Sequence, residues 1–419
     1  MPTVHQPSRA ITGARNTESL ESIKKSRGVC LFGVGIVSAL FAASVIAAAA
    51  GYLIVRYAGT HSHFLADAPG TGPQKFHSRP TPRVGGIPIF LGLIAAAALL
   101  ADRHLSVSNL ITAALICGLC ALAGGLAEDF TKRVGVGLRL LLTFASAALG
   151  FVILDARIGE LAVPGLDWLL NFTAISFVFT LFAIGGFANA MNIVDGFNGL
   201  AGVVALIFVS CIAFVASAVG DESILWTSLI VGGALVGFLV LNFPKGLIFL
   251  GDGGAYFVGF LIAELAVLLV HRNSQVSPWF ALTMLSYPVV ETFFSMYRKK
   301  VLRKQSPGMP DGLHFHMLIH KRLVRRYESA APWANAATSP FLWVLALVGA
   351  VPAVLFWDNT PVLQTLLISF VALYTWLYWR IVRFRTPKLL IAREWFGDRR
   401  STPSRAQESD VASPANADF

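Results

Sequence analysis

Charge is what this sequence is short of. Only 13% of its 419 residues are Asp, Glu, Lys or Arg, about half the share of an ordinary soluble chain, while 55% are hydrophobic. A soluble domain stops growing near about 250–300 residues and still needs a polar surface, so an ordinary cytosolic enzyme is excluded. Cysteine is also scarce, and four of them predict no disulfide framework. Cys117 and Cys120 have the spacing of a redox pair, but they lie inside an apolar run with no strand pattern beside them, so they read as buried membrane thiols. There is no repeat of fixed period and no segment long and polar enough to form a separate soluble domain.

What the chain has instead is a series of long apolar runs, which predicts an all-α polytopic membrane protein with about 11 transmembrane helices. The expected spans are 28–55, 84–101, 109–127, 136–154, 168–188, 199–219, 223–243, 247–270, 278–297, 340–357 and 361–382. The first is too long for a secretory signal, although Lys24, Lys25 and Arg27 precede it. The expected organisation is a polar tail over 1–27, one membrane domain over 28–385 and a basic, polar tail over 386–419. Dividing the connections by parity puts 25 of the 33 Lys and Arg on one side, which the positive-inside rule makes cytoplasmic. The five cations of the N-terminal tail argue the other way, and a missed or spurious first span would account for them. The net charge of +10 thus reads as topology and contact with anionic groups, with no nucleic-acid partner.

Polar motifs collect at the ends of the spans on that side. Lys75, Arg79, Pro80, Pro82, Arg83, Gly85 and Gly86 precede the second span, a set suited to holding a phosphate, or to a basic turn that only sets topology. Glu128 and Asp129 end the third, where a frayed helix end would let both reach one cation or ligand; a solvated pair is the plainer reading. The connection from Asn189 through Asn192, Asp195 and Asn198 to Gly199 repeats a polar residue every third position and holds no Lys or Arg, so its Asn and Asp suit a base, a sugar or a metal. Asn242, Phe249 and the run Gly251, Asp252, Gly253, Gly254 open the eighth span. A carboxylate among glycines there suits Mg²⁺, which takes one or two carboxylates plus water and phosphate oxygens; Asp252 as a helix cap is the plainer reading.

Glu291 and Thr292 follow Pro288 in the ninth span, and the loop beyond carries His314, His316 and His320. Two histidines without a cysteine partner make a weak zinc signal, and phosphate binding with the nearby cations fits better; a solvated basic loop is the alternative. Glu264 lies deep in the eighth span, where an acid is costly, and it has no assignment.

In order, the Lys75 and Arg79-Pro-Thr-Pro segment, the Glu128-Asp129 pair, Asn189-x-x-Asn192-x-x-Asp195-Gly196, Phe249-x-Gly251-Asp252, Pro288-x-x-Glu291-Thr292 and the His314-x-His316 loop resemble one family. It is the polyprenyl-phosphate N-acetylhexosaminyl-1-phosphate transferases, and the resemblance runs from about 75 to 320. The eleven-span count is similar to its bacterial N-acetylglucosaminyl branch. The resemblance implies an enzyme of a bacterial plasma (inner) membrane, its active site facing the cytoplasm, that moves a sugar phosphate from a UDP-amino sugar to undecaprenyl phosphate and releases UMP at the start of cell-envelope polysaccharide synthesis. It implies Mg²⁺, with Mn²⁺ as a substitute, held by Asp252. It also implies Glu128, Asp129, Asp195, His314 and His316 as catalytic residues, Phe249 stacking on uracil, Lys75 and Arg79 at a phosphate, and Asn192, Asn198 and Asn242 at the nucleotide sugar.

The chain departs from the family pattern at Glu128 and Glu291, each where Asp is usual, at Asn198, where an acid is common, and at Met317, where a further His is common. Those departures imply a subgroup with altered sugar preference. Whether the chain forms a homodimer is left open. The competing class is a transporter or flippase of lipid-linked sugars, which would put polar groups near the bilayer midplane and show inverted repeats. Only Glu264 is clearly that deep, while the motifs gather at one face.

Overall fold

The computed structural model of the chain describes residues 35–58, 66–67, 81–302, 304, 313–324 and 335–383. The tails expected at 1–27 and 386–419 lie outside the described residues. In chain order the helices are α1 (Gly35–Ala58), α2 (Gly86–Leu100), α3 (Leu105–Thr131), α4 (Val136–Ile153), α5 (Leu166–Leu170), α6 (Thr173–Val194) and α7 (Leu200–Val219). They continue with α8 (Glu222–Asn242), α9 (Gly251–Arg272), α10 (Trp279–Met284), α11 (Ser286–Tyr297), α12 (Phe315–Ile319), α13 (Ala336–Leu355) and α14 (Thr360–Val382). Strands β1 (Ala66–Asp67) and β2 (Thr81–Pro82) form a short antiparallel pair. The chain is an all-α polytopic membrane protein.

Nine of these helices, among the described residues, are long and apolar enough to cross a membrane. Two expected spans take another form. The run at 84–101 becomes α2, only 15 residues long. The run at 278–297 breaks at Leu285 into α10 and α11. Pro288 accounts for that break, because a proline ring collides with the carbonyl four residues back, here Met284, the last residue of α10.

Helix α9 is the axis of the bundle. Every residue from Gly251 to Leu269 is buried, as expected of a helix apolar on all sides. It packs on α3 and α6, and small residues set how closely. A methyl group on Gly125 of α3 would collide with the backbone of Gly253, and one on Gly86 of α2 would lie 2.6 Å from Gly254 Cα. This contact brings the end of α3 against the start of α9, and the site forms there.

Candidate active site

The first turn of any helix leaves backbone N–H groups without partners, and a carboxylate there is favoured by the helix dipole. In α9 those groups are satisfied by a residue of another helix. Asp129 Oδ1 accepts the Asp252 N–H at 3.0 Å and Oδ2 accepts the Gly253 N–H at 2.9 Å. The Asp129 side chain is 1% exposed. The acidic pair therefore diverges, contrary to the expectation that both members reach one ligand. Helix α3 does not fray before Thr131, so Asp129 faces α9 while Glu128 Oε2 turns back to accept the Val134 N–H at 2.8 Å.

The cap of α9 is Leu250, and Asp252, the expected cap, lies two residues further on, in the first turn of α9, with its carboxylate between two cations. Arg83 Nη2 is 3.4 Å from Oδ1, and Arg139, in the first turn of α4, forms an ion pair with Oδ2. Arg83 also lies 3.9 Å from Asp129 Oδ1. The Arg83 segment is stitched to the loop before α9 by Phe249 N–H donating to Pro82 O and Gly85 N–H donating to Phe249 O, each at 2.9 Å. The Phe249 side chain is partly buried. The Arg139 guanidinium faces the Tyr256 ring, and the Tyr256 hydroxyl donates to Asn189 Oδ1 at 3.1 Å with Asn192 also in hydrogen-bond reach.

Asp195, just beyond α6, lies beside the Gly251 N–H, which favours its charged form. Burial pushes its carboxyl up to about 7, against the pull of Arg83 and that N–H and with Asp129 adding to the rise. Asp129, Asp195 and Asp252 thus meet around a single turn of backbone. Among the described residues no group of three or more His, Cys, Asp or Glu could hold a metal by itself. Mg²⁺ takes only one or two carboxylates beside water and phosphate oxygens, a number that Asp252 and Asp195 could supply.

Two residues expected at the nucleotide sugar, Asn198 and Asn242, hydrogen-bond to backbone. Asn242 Oδ1 accepts the Gly199 N–H at 2.6 Å and its Nδ2 donates to Ile248 O at 2.7 Å, tying together the loops before α7 and α9. Asn198 Nδ2 donates to Pro244 O at 3.1 Å, its N–H donates to Asn335 Oδ1 at 2.8 Å, and its carbonyl accepts from Ser339. Asn242→Ala should leave a buried donor and acceptor unpaired, destabilising by about 1–3 kcal/mol. A lowered thermal midpoint measured in detergent would check this.

The histidines belong to the same site. His314, His316 and His320 are buried, which excludes the solvated-loop reading. His314 and His316 are stacked, with ring centroids 5.4 Å apart. His316 covers the turn after Asp195, where a methyl on Gly196 would come within 2.9 Å of Nε2. His314 Nδ1 is 2.9 Å from Glu291 Oε1. The expected phosphate contacts Lys75 and Arg79 lie outside the described residues.

A family model described as glycosyl transferase family 4 matches residues 111–270, a range that holds the acidic pair, the Asn/Asp turn and Asp252. The chain belongs to that family. Membership makes it a membrane transferase. It is 30% identical over 244 residues to a probable undecaprenyl-phosphate N-acetylglucosaminyl 1-phosphate transferase of Bacillus subtilis, covering 58% of this chain and 66% of that one. It is 27% identical over 345 residues to an undecaprenyl-phosphate alpha-N-acetylglucosaminyl 1-phosphate transferase of Yersinia pestis, covering 76% and 86%. A phospho-N-acetylmuramoyl-pentapeptide-transferase of Streptococcus equi is 28% identical over 255 residues, covering 58% and 73%. The chain thus spans about two thirds of the Bacillus relative's length.

Arg139, Tyr256, Tyr374 and Tyr378 were not singled out as site residues by the sequence. Arg139 reads as one more cation at a span end, and only the packing of α4 against α9 turns it toward Asp252. Tyr374 and Tyr378, in α14, fit an ordinary aromatic belt near a membrane surface.

Proposed function

We propose that the chain transfers an N-acetylhexosamine-1-phosphate from a UDP-amino sugar to undecaprenyl phosphate at the cytoplasmic face of a bacterial plasma membrane, releasing UMP. The observation that carries this reading is the carboxylate of Asp252, set in the first turn of α9 between the guanidinium groups of Arg83 and Arg139 with Asp129 and Asp195 close by. Two polyanionic substrates must be brought together, and a cluster of fixed cations around a helix N-terminus lowers their repulsion. An oxygen of the lipid phosphate attacks the β-phosphorus of the donor, and the bond from that phosphorus to the oxygen of UMP breaks. Asp252, with Asp195 beside it, would hold Mg²⁺, which supplies charge neutralisation on the diphosphate. His316 and His314 extend the site from the Asp195 turn, where they would meet phosphate oxygens of the substrates.

A phosphate monoester has its second pKa near about 6, so most of the acceptor is already a dianion at neutral pH and no base is strictly required. Glu128 holds the loop at Val134, and a glutamine can accept the same bond. Glu128→Gln should therefore lower activity by less than the roughly hundredfold loss that removal of a general base brings. A mutant defect repaired by a steep rise of rate with pH would make Glu128 the base.

The direct test incubates purified protein in detergent with undecaprenyl phosphate, Mg²⁺ and a panel of UDP-sugars, and measures UMP. The expected result is UMP release with one or a few N-acetylated amino sugars, abolished by EDTA and restored by excess Mg²⁺. No UMP with any donor would overturn the proposal, and transport of lipid-linked sugars would then be the reading to test.

A further inference from the structure

Glu291 is buried in α11, and its carboxylate has three neighbours from two other parts of the chain. The Tyr374 hydroxyl of α14 donates to Oε2 at 2.7 Å, the Phe315 N–H lies 3.2 and 3.3 Å from the two oxygens, and His314 Nδ1 faces Oε1 at 2.9 Å. A carboxylate that already takes Tyr374 and Phe315 as donors is best completed by a third donor, which puts the His314 proton on Nδ1 and leaves Nε2 to act on a ligand. One turn further along α14, the Tyr378 hydroxyl and Arg298 meet the Leu313 carbonyl at 3.2 and 2.7 Å, gripping the backbone just before His314. Both tyrosines lie beyond residue 270, where the family match ends.

We propose that Tyr374 is a positioning residue for the transfer reaction: through Glu291 it sets the tautomer and orientation of His314, so that α14 is part of the machinery and not only a lipid-facing span. This rests on the proposed role of His314. It also accounts for Glu at 291 where Asp is usual. Shortening the side chain by one carbon withdraws the carboxylate by roughly 1.5 Å, too much to keep both Tyr374 and His314 in hydrogen-bond range.

Tyr374→Phe separates this role from packing, because the ring keeps its contacts with Phe294 and Phe315 while the hydroxyl is lost. The full chain is purified with ¹⁵N-labelled histidine, the His314 signal being assigned by its loss in His314→Gln. UMP release is followed in parallel. The expected result is one His314 tautomer in the wild type, a mixture in Tyr374→Phe, and about a tenfold fall in kcat with KM for the UDP-sugar unchanged. The same substitution in a His314→Ala background should cause no further fall, since both changes remove one function. An unchanged His314 signal, or losses that simply multiply, would overturn the inference. Wild-type protein that releases no UMP but shows the tautomer change would instead defeat the proposed reaction and leave the Tyr374 linkage standing.

Discussion

Asp252→Asn should reduce UMP release by about a thousandfold while leaving the bundle folded. A fixed charge aimed at the reacting groups in a low-dielectric site typically contributes a factor of about 10²–10³, and here the same carboxylate would also hold Mg²⁺. Asparagine keeps the shape but removes the negative charge, so the divalent ion loses its main anchor and Arg83 and Arg139 lose their shared partner. The fold is protected because the start of α9 does not depend on the side chain at 252. Asp129 holds that turn through the backbone N–H groups of Asp252 and Gly253, and an asparagine has the same backbone. The measurement pairs UMP release over a range of Mg²⁺ with Mn²⁺ binding followed by electron paramagnetic resonance and with a thermal melt. Weakened Mn²⁺ binding at a nearly unchanged melting temperature is the expected pattern. A variant that released UMP at an undiminished Mg²⁺-dependent rate would remove Asp252 from the metal site.

Gly125→Ala should be nearly as damaging although the residue touches no substrate. The added methyl collides with the backbone of Gly253, and backbone cannot rotate aside as a side chain can. Overpacking of this kind costs about 1–3 kcal/mol. The larger effect is on geometry, since relief requires α3 and α9 to separate where Asp129 bridges them. A shift on the order of 1 Å stretches both bonds from Asp129, carries Asp252 away from Arg139, and lowers activity by about a hundredfold. Gly137 is the control. It lies in the first turn of α4, two residues before Arg139, and an alanine there meets nothing within 4 Å. Gly137→Ala should leave activity unchanged and stabilise the helix by about 0.5–1 kcal/mol. Comparing the kcat and melting temperature of the two variants checks the argument, and equal effects from both would sink it.

Much of the site could be read from residue order because its chemistry is written in short local patterns. Asp195 and Gly196 after a polar helix end, and Asp252 among glycines, sit together in space as well as in separate motifs. The buried histidines, too, join the site where the sequence put them. Other contacts could not be read that way, because they depend on the direction a side chain takes. Adjacent positions on a helix point about 100° apart, so Glu128 and Asp129 take different partners, Val134 and the start of α9, once α3 continues past them. Asn198 and Asn242 have the donors and acceptors to read a nucleotide sugar, and the structure puts the Asn198 Nδ2 on Pro244 O and both Asn242 side-chain atoms on the backbone of Gly199 and Ile248. Pro288 was visible in the sequence, and the break it imposes on the ninth run follows from its own ring.

Composition alone determined that the chain lives in lipid and that its helices follow the apolar runs, because transfer of a helix into hydrocarbon depends on local side-chain polarity and on satisfying backbone hydrogen bonds within the segment. The order of motifs determined the family. Only the tertiary structure decided which polar groups meet: Asp129 on a helix start more than a hundred residues away, Arg139 on Asp252, and Tyr374 on Glu291 and hence His314. Those pairings depend on the rotation and approach of whole helices, and these are set by glycines such as Gly125 and Gly86 whose role is invisible until the facing backbone is in place.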